Sequence, residues 1–389
     1  MAFYIYIMLK AVKKRVIVAM SGGVDSSVSA TLLKRAGFDV VGVYMRQWAP
    51  EILGKECIWK QDRQDAMRVC AKLKIPFFTW DFSKEYEKEV GKYMINSYKK
   101  GITPNPDVMC NKIIKFGLFF DRAIKEGADF VATGHYARTS LANQIFYRSA
   151  TNFFPSAGNP LCPTGKWTRD CKKFIASLYK AKDKNKDQTY FLYTIAKEQL
   201  PKIIFPVGDL TKPEVRKLAK KFGLENAEKK DSQGVCFVGQ FNMKQFLKTY
   251  IKPKAGKILS LDGKVIGEHD GVYYYTIGQR HGLDIKNGQG PYFVVKKDLK
   301  KNIIYVGEEK DLECKKAKII NINWISRPEK FPVVLDVRTR YRAPLKKAKL
   351  SKNGELVFQK SDRAITPGQS AVFYKGGTVL GGGIIDKVL

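Results

Sequence analysis

The chain has 389 residues and a formal net charge of +33, from 70 lysines and arginines against 37 aspartates and glutamates. At roughly 150 residues per domain this length predicts two or three domains, which excludes a single small module. Its hydrophobic content of 44% excludes a disordered chain. The charge attracts polyanions, so nucleic acid is the first partner to consider, with an excess of solvated surface lysines as the alternative.

The N-terminal region carries no signal for a membrane. The first apolar run, residues 1–12, is interrupted by Lys10 and is shorter than the ~18 residues of a membrane span. Positive charges follow this run instead of preceding it, which does not fit a signal peptide. The seven cysteines are an odd number and are widely scattered along the chain, a pattern typical of reduced thiols. These features predict a soluble cytoplasmic protein without a membrane partner.

The first half of the chain alternates strand-like and helix-like segments, which predicts an α/β fold with a parallel sheet and crossover helices. The expected buried strands are 16–20, 39–45, 77–80 and 129–133. The expected helices include 26–35, 62–73, 84–98, 111–126, 188–199 and 211–222. Ligands of such sheets bind beyond the carboxyl ends of the strands, where Ser21 and His135 are expected to lie.

Composition divides the chain into three parts. Proline, glycine, two cysteines and lysines cluster at 149–183, which predicts an insertion or long loop. Beyond about residue 240, short runs of Val, Ile, Tyr and Phe alternate with turn dipeptides, a pattern typical of hairpins and small barrels. We therefore expect an α/β domain at 1–240, a small, mostly β domain at 241–311 and a C-terminal β-barrel at 312–389.

A glycine-rich loop, Ser21-Gly-Gly-Val-Asp-Ser26, joins the first strand to the first helix. Its glycines allow a tight turn close to a ligand, and the serines and first helical amides offer donors to an anion. The Gly-Lys-Ser/Thr signature of the Walker loop is absent from this segment. The loop predicts a phosphate-binding site, and a plain strand-to-helix turn is the alternative.

This loop resembles the pyrophosphate loop of the N-type ATP pyrophosphatases, which cleave ATP between the α and β phosphates and adenylate an oxygen of an acceptor. The resemblance implies ATP as the cofactor, with a Mg²⁺ ion that Asp25 helps to hold. The nucleotide-site residues implied are Ala19, Met20, Ser21, Gly22, Gly23, Val24, Asp25, Ser26, Met45 and Gly134. Ser27 is expected to join the other serines at the pyrophosphate. Met45 would face the adenine, and ordinary core packing is its alternative.

Two cysteines lie in sequences that could activate a thiol. Cys110 is predicted at the start of a helix, where the helix dipole and free amides lower the pKa of a thiol. Cys236 lies in a glycine-flanked loop beside Lys229 and Lys230. Taken singly, a buried structural cysteine is the commoner case.

Together, the loop and the cysteines resemble one family, the bacterial-type tRNA-specific 2-thiouridylases. The matching motifs are Ser21-Gly-Gly-Val-Asp-Ser26, Asn105-Pro-Asp107 with Cys110-Asn111, Thr133-Gly-His-Tyr136, Lys186-Asp-Gln188, Gly234-Val-Cys236, Tyr275-Thr-Ile-Gly-Gln-Arg280 and Thr366-Pro-Gly-Gln369. The resemblance implies that ATP adenylates O2 of the wobble uridine of tRNA. A persulfide on Cys236 then delivers sulfur to C2, giving 2-thiouridine, AMP and pyrophosphate. Cys110 would be the nucleophile that helps to release the sulfur, leaving a transient disulfide.

The resemblance also implies partners and contacts. The partners are tRNA and a persulfide sulfur-donor protein; the sequence leaves the oligomeric state open, and a monomer is the expectation. Asn105, Pro106 and Asp107 would contact the target base, because an enzyme that acts on a base edge must flip it out of its stack. The other tRNA contacts implied are His135, Lys186, Asp187, Gln188, Arg340, Tyr341, Arg342 and Gln369. Both thiols must reach one carbon, so the loop around Cys236 is expected to fold over the sheet edge.

Two other functions stay open at this point. An amidating or citrulline-ligating synthetase of the same superfamily would keep the phosphate loop, but it would need neither paired thiols nor an RNA-binding β domain. A non-catalytic RNA-binding protein would use the β half and show no ATP turnover. A zinc site at Cys162 and Cys171 is disfavoured, because their spacing is long and no histidine or further cysteine lies nearby. Apart from the Mg²⁺ ion expected with ATP, no metal site is expected.

Overall fold

The computed structural model describes residues 13–48, 58–140, 176–230, 243–285 and 290–389. The strands of its first half are β1 (Arg15–Met20), β2 (Asp39–Arg46), β3 (Phe77–Asp81), β4 (Phe130–Thr133), β5 (Ala137–Thr139), β6 (Leu178–Lys180) and β7 (Ile203–Ile204). Within these ranges, five of them form a parallel sheet in the order β3-β2-β1-β4-β7. The predicted α/β fold with a parallel sheet is confirmed.

Helices connect and cover this sheet. They are α1 (Val24–Arg35), α2 (Ile58–Lys72), α3 (Ser83–Tyr86), α4 (Lys92–Lys99), α5 (Pro106–Met109), α6 (Phe120–Lys125), α7 (Lys212–Lys221) and α8 (Met243–Tyr250). Two π-helical segments, Glu87–Gly91 and Cys110–Phe119, link α3 to α4 and α5 to α6 without a break. In the part of the chain that the structure describes, no helix is long and apolar enough to cross a membrane.

The central strand β1 is buried on both faces, as a parallel sheet covered by helices requires. Val16 and Val18 pack into a core with α1 and α7. Ile17 and Ala19 point the other way, into a core shared with the helical segment Cys110–Phe119. The carboxyl end of β1 therefore opens between two helical layers, at the edge where the glycine-rich loop begins.

The second half of the chain is mostly β, as predicted. Strands β8 (Gly256–Ser260), β9 (Val265–His269), β10 (Phe293–Asp298) and β11 (Ile303–Gly307) form a sheet in the order β10-β11-β8-β9. The remaining strands are β12 (Glu313–Trp324), β13 (Val333–Arg338), β14 (Lys346–Leu350), β15 (Glu355–Arg363), β16 (Ser370–Lys375) and β17 (Thr378–Val388). They follow the order β12-β15-β14-β13-β16-β17, and pairing of β12 with β17 closes the C-terminal barrel.

The barrel is joined to the α/β domain by a continuous sheet. Strand β17 pairs with β6, with Thr378 opposite Tyr179. A buried ion pair reinforces this joint: Arg338 Nη1 lies 3.1 Å from Asp187 Oδ2, and the two side chains are 11% and 3% exposed. The strand pairing and the ion pair, together called the barrel joint, hold the segment that follows β13 beside the α/β domain.

Arg338→Met is expected to lower the free energy of unfolding by about 3 kcal/mol, because it leaves the buried Asp187 carboxylate without its cationic partner. Urea denaturation followed by circular dichroism measures this effect. Arg327→Met, on the exposed surface of the barrel, is the matched control and should leave the midpoint unchanged. Equal midpoints for the two variants would contradict the role given to the ion pair.

Candidate active site

The loop between β1 and α1 has a backbone shape that only glycine allows. Gly22 has a φ of +74°, and a Cβ at this position would lie 2.1 Å from the carbonyl oxygen of Asp62. Gly23 is the N-cap residue of α1 in an extended conformation, with no side-chain cap. The first amides of α1 can therefore donate to an anion at the positive end of the helix dipole.

Serine hydroxyls hold this loop in shape. The hydroxyl oxygens of Ser21 and Ser26 lie 3.1 Å apart, and the amide of Ser21 donates to Ser26 Oγ at 3.2 Å. The hydroxyls of Ser26 and Ser27 also donate to the carbonyl oxygen of Gly23, at 3.1 and 2.9 Å. The loop is thus preorganised, which reduces the reorganisation needed to bind a phosphate.

The end of strand β4 lies directly against the loop. A Cβ at Gly134 would lie 2.6 Å from the amide nitrogen of Ser26. A cavity of about 220 Å³ opens between the ends of β1, β2 and β4. The predicted nucleotide residues that line it are Ala19, Met20, Ser21, Asp25, Ser26, Met45 and Gly134. Met45 lines this cavity and also packs against the buried core, and its contact with adenine stays a prediction.

Asp25 is held by two partners. Its Oδ1 accepts hydrogen bonds from Lys212 Nζ at 2.7 Å and from the Tyr136 hydroxyl at 2.9 Å. The Lys212 side chain is 11% exposed and that of Asp25 is 31% exposed, so the lysine is more shielded from water than the carboxylate. Sequence reasoning missed Lys212, which lies far along the chain in the first turn of α7. Among the residues that the structure describes, no cluster of three His, Cys, Asp or Glu side chains could hold a metal ion.

The segment after α7 binds the back of the loop. Asn226 Nδ2 donates to the carbonyl oxygen of Gly22 at 3.0 Å. Lys229 Nζ lies 2.7 Å from Asp62 Oδ1 and 2.5 Å from Asp65 Oδ2. Burial acts against its charge, but the hydrogen bonds and charges of Asp62 and Asp65 raise the pKa of Lys229 above its usual value. Residue 230 is the last one described before Cys236, which lies outside the described residues.

Cys110 is buried, at 1% exposure, one turn inside a helix. The prediction that it starts the helix is wrong. Asn105 is the N-cap and its Oδ1 accepts from the amide of Val108 at 3.2 Å, while Pro106 occupies the first helical position. The free amides at the helix start therefore precede the thiol by about a turn.

The side chain of Gln47 connects the Cys110 thiol to the cavity at the glycine-rich loop. Gln47 lines the cavity, and its Nε2 lies 3.9 Å from Cys110 Sγ. Burial raises the pKa of Cys70 to about 12, and burial with the charge of Asp362 raises the pKa of Cys314. Cys162 and Cys171 lie outside the described residues.

His135 lies at the cavity wall as a neutral imidazole. Its Nδ1 is 2.7 Å from Thr133 Oγ1, and its ring packs near Phe116 and Phe205. Burial and the charge of Lys115 lower the pKa of His135 well below its usual value. A neutral ring at pH 7 can offer a hydrogen bond to a base or sugar without adding a positive charge.

A larger, open cavity of about 750 Å³ continues from the phosphate loop to the barrel. The predicted residues along it are Gly23, Val24, Asp107, His135, Lys186, Gln188, Tyr341 and Arg342. The ring of Tyr341 lies 4.6 Å from that of Phe191, and the Arg342 guanidinium lies 5.3 Å from the Tyr341 ring. The barrel thus contributes an aromatic and cationic edge to a site whose floor belongs to the α/β domain.

The remaining predicted tRNA residues lie elsewhere. Asp187 is buried, and its carboxylate accepts hydrogen bonds from Arg338 and from the hydroxyl and amide of Thr189. The barrel joint therefore occupies the Asp187 carboxylate, and the expected contact between this residue and RNA stays a prediction. Arg340 is exposed but does not line the open cavity. Gln369 donates from Nε2 to the backbone carbonyls of residues 103 and 104.

Comparison with known proteins follows the same division of the chain. Residues 14–240 match the family model of a tRNA methyl transferase HUP domain, residues 244–308 that of a tRNA methyl transferase PRC-barrel domain, and residues 314–385 that of an aminomethyltransferase beta-barrel domain. The chain is 43% identical over 382 residues to the tRNA-specific 2-thiouridylase MnmA of Geobacillus thermodenitrificans, covering 96% of this chain and 95% of that protein.

Two further relatives give the same result. Identity is 43% over 383 residues with the tRNA-specific 2-thiouridylase MnmA of Halalkalibacterium halodurans, covering 96% of this chain and 95% of that protein. It is 43% over 386 residues with the protein of the same name from Streptococcus thermophilus, covering 96% of each chain. On this full-length similarity, with the barrel and the phosphate loop in place, the chain belongs to the tRNA-specific 2-thiouridylase family.

Proposed function

We propose that this protein is a sulfurtransferase that catalyses the ATP-dependent 2-thiolation of the wobble uridine of tRNA, releasing AMP and pyrophosphate. The observation that carries the proposal is a buried thiol, Cys110, whose Sγ lies 3.9 Å from Gln47 Nε2 at the cavity of the glycine-rich loop, with a second, open cavity running from that loop to Tyr341 and Arg342. Family membership supports the reaction type. A site built by two domains suits a protein that must bind a nucleotide and RNA at the same time.

The phosphate loop is suited to bind ATP. The free amides of α1 and the exposed Ser21 hydroxyl would donate to the pyrophosphate, and Met45 would contact the adenine. Mg²⁺ would neutralise phosphate charge when bound, and the nucleotide phosphates would supply most of its ligands, since Asp25 is already paired with Lys212. Because Lys212 is paired with Asp25, the amides at the positive end of α1 are the groups that favour an anionic ligand here.

Sulfur transfer would use the thiols of Cys236 and Cys110 in turn. Adenylation of O2 turns a poor leaving oxygen into AMP. The terminal sulfur of a persulfide on Cys236 attacks C2 and displaces AMP. The Cys110 thiolate then attacks Cys236 Sγ, which breaks the S–S bond, leaves the sulfur on C2 as the thione and forms a Cys110–Cys236 disulfide. An external thiol reductant supplies the two electrons that restore both thiols, and a persulfide-carrying protein reloads Cys236.

RNA binding would use the open cavity. Tyr341 and Arg342 can stack on a splayed base and pair with phosphate, which suits recognition of a single-stranded anticodon loop. Asp107 and Gln188 line the same cavity and offer polar groups to the edge of the flipped base. Neutral His135 lines both this open cavity and the smaller cavity at the glycine-rich loop. The target uridine and ATP would meet where these two cavities adjoin.

Raising monovalent salt from about 50 to about 200 mM is expected to weaken tRNA binding by roughly a thousandfold, because phosphate contacts by lysines and arginines release counterions. Fluorescence anisotropy with labelled tRNA measures the dissociation constant at each salt concentration. Arg342→Ala removes one cation from the open cavity and should flatten the log–log slope by about one unit. A dissociation constant that does not change with salt would contradict the proposed electrostatic interface.

The proposal is tested by the stoichiometry of ATP cleavage. Purified protein with ATP, Mg²⁺, a persulfide donor, a thiol reductant and tRNA bearing an unmodified wobble uridine should release AMP and pyrophosphate, and omitting tRNA should abolish most of this release. A synthetase acting on a small acceptor would not respond to tRNA. Absence of AMP and pyrophosphate with competent tRNA would favour a non-catalytic RNA-binding protein and overturn the proposal.

A further inference from the structure

We infer that Gln369, in the C-terminal barrel, is a positioning residue for Cys110. The turn of residues 367–369 clamps the segment that leads into the Cys110 helix, so the barrel sets the position of the thiol as well as forming part of the RNA interface. The inference rests on the proposed function, because it concerns the thiol that acts in sulfur transfer.

The side-chain amide of Gln369 makes the central contact of the clamp. Its Nε2 donates to the carbonyl oxygen of Thr103 at 3.0 Å and to that of Pro104 at 2.9 Å. A glutamine amide has two N–H donors, and both are used here. Gln369 can therefore offer RNA only its acceptor oxygen while the clamp is intact.

The backbone of the same turn is fitted to the same segment. The amide of Thr103 donates to the carbonyl oxygen of Pro367 at 3.3 Å. Gly368 has a φ of +90°, and a Cβ there would lie 2.2 Å from Ile102 Cγ2 and 2.7 Å from the Thr103 carbonyl oxygen. The turn thus approaches the segment as closely as a residue without a side chain permits.

The central domain holds the segment from another side. Thr103 Oγ1 lies 3.1 Å from Thr276 Oγ1. Lys297 Nζ donates to the carbonyl oxygens of Gly101 and Tyr275, at 2.6 and 2.8 Å. Residues 101–104 are therefore fixed by hydrogen bonds to both smaller domains, although they belong to the α/β domain.

The clamp is connected to the thiol through a short, rigid path. Asn105 follows Pro104 directly and caps the helix. From Pro106 to Phe119 the helical backbone is unbroken, and Cys110 lies one turn inside it. A displacement of residues 103–104 must move the cap or distort the first turn, and either change shifts Cys110 Sγ relative to the cavity.

Gln369→Ala and the isosteric Gln369→Glu should both lower the single-turnover rate of 2-thiouridine formation at saturating tRNA, by about a hundredfold for a displacement near 1 Å. The dissociation constant for tRNA should stay unchanged. Gln199→Ala is the matched control, since Gln199 Nε2 donates to the Phe116 carbonyl oxygen at the other end of the same helical run, at 2.7 Å. This control should keep the wild-type rate, and urea denaturation checks that each variant is folded.

Alkylation of Cys110 by iodoacetamide gives a readout that does not depend on catalysis. Peptide mass spectrometry should show faster modification of Cys110 in both Gln369 variants than in the wild type or in Gln199→Ala, with Cys70 as the internal reference. If alkylation responds but the wild-type protein makes no 2-thiouridine, the proposed function fails and the positioning role stands. Weaker tRNA binding with an unchanged saturated rate and unchanged alkylation would overturn the inference and make Gln369 an RNA contact.

Discussion

Replacing Cys110 by serine is expected to lower the rate of 2-thiouridine formation by about a thousandfold or more, because a hydroxyl cannot attack the Cys236 sulfur and complete the transfer. Adenylation precedes this step and does not use the thiol. The variant should therefore still release pyrophosphate in a tRNA-dependent first turnover. Single-turnover assays that follow 2-thiouridine by mass spectrometry and pyrophosphate by a coupled enzyme separate the two steps.

Cys314→Ser is the matched control for this experiment. Cys314 is another described thiol, half-buried at the start of the barrel, and burial raises its pKa. The control should keep both activities at the wild-type level. Unchanged thiolation in Cys110→Ser would remove the thiol from the reaction, and equal loss of both activities would mean that Cys110 supports the nucleotide site instead.

Gly134→Ala is expected to lower ATP cleavage by about a hundredfold, because the new Cβ would lie 2.6 Å from the Ser26 amide and displace the end of β4 from the phosphate loop. The displaced loop no longer presents its amides and hydroxyls in one preorganised arrangement. Initial rates of pyrophosphate release at several ATP concentrations measure the change, which should appear as a higher KM for ATP together with a lower kcat.

The control is Gly377→Ala in the turn between β16 and β17. A Cβ at Gly377 meets no described atom within 4 Å, and its φ lies outside the range that favours glycine. This variant makes the same chemical change without steric conflict, so its kinetics should match the wild type. A KM and kcat for Gly134→Ala equal to those of the control would show that β4 does not support the nucleotide site.

The sequence was sufficient where local chemistry determines the structure. The expected strands 16–20, 39–45, 77–80 and 129–133 all occur, with ends that differ by one residue at most. Their runs of β-branched and aromatic residues favour an extended backbone. Burial on both faces of the sheet favours the same conformation. The glycine-rich loop and Gly134 could be located because both follow strands whose carboxyl ends meet at one edge.

Sequence reasoning failed where distant parts of the chain decide the local structure. The helix expected at 188–199 is instead a short 3₁₀ turn at Thr189–Phe191. Tertiary contacts override helix propensity there, because the Tyr190 hydroxyl lies within hydrogen-bond distance of two barrel carbonyl oxygens, those of Ser370 at 3.1 Å and Thr339 at 3.3 Å. By contrast, the helix expected at 211–222 forms with a capping box between Thr211 and Glu214, a signal contained within four residues.

The site shows the same limit. Lys212 and Gln47 lie beside Asp25 and Cys110 in space, but neither belongs to a motif that marks it. Asp187 lies within a motif, yet its partner Arg338 is in another domain, and only the folded structure reveals that the carboxylate is buried. A motif can therefore locate a site without assigning a role to each of its residues.

The central claim is tested most directly by the product. Unmodified tRNA with a wobble uridine, incubated with the purified protein, ATP, Mg²⁺, a thiol reductant and a persulfide or sulfide donor, is digested to nucleosides and examined by mass spectrometry. We predict 2-thiouridine at the wobble position, formed with AMP and pyrophosphate in equal amounts and lost when ATP is omitted. No 2-thiouridine, with competent tRNA and donor and with the protein folded, would contradict the account.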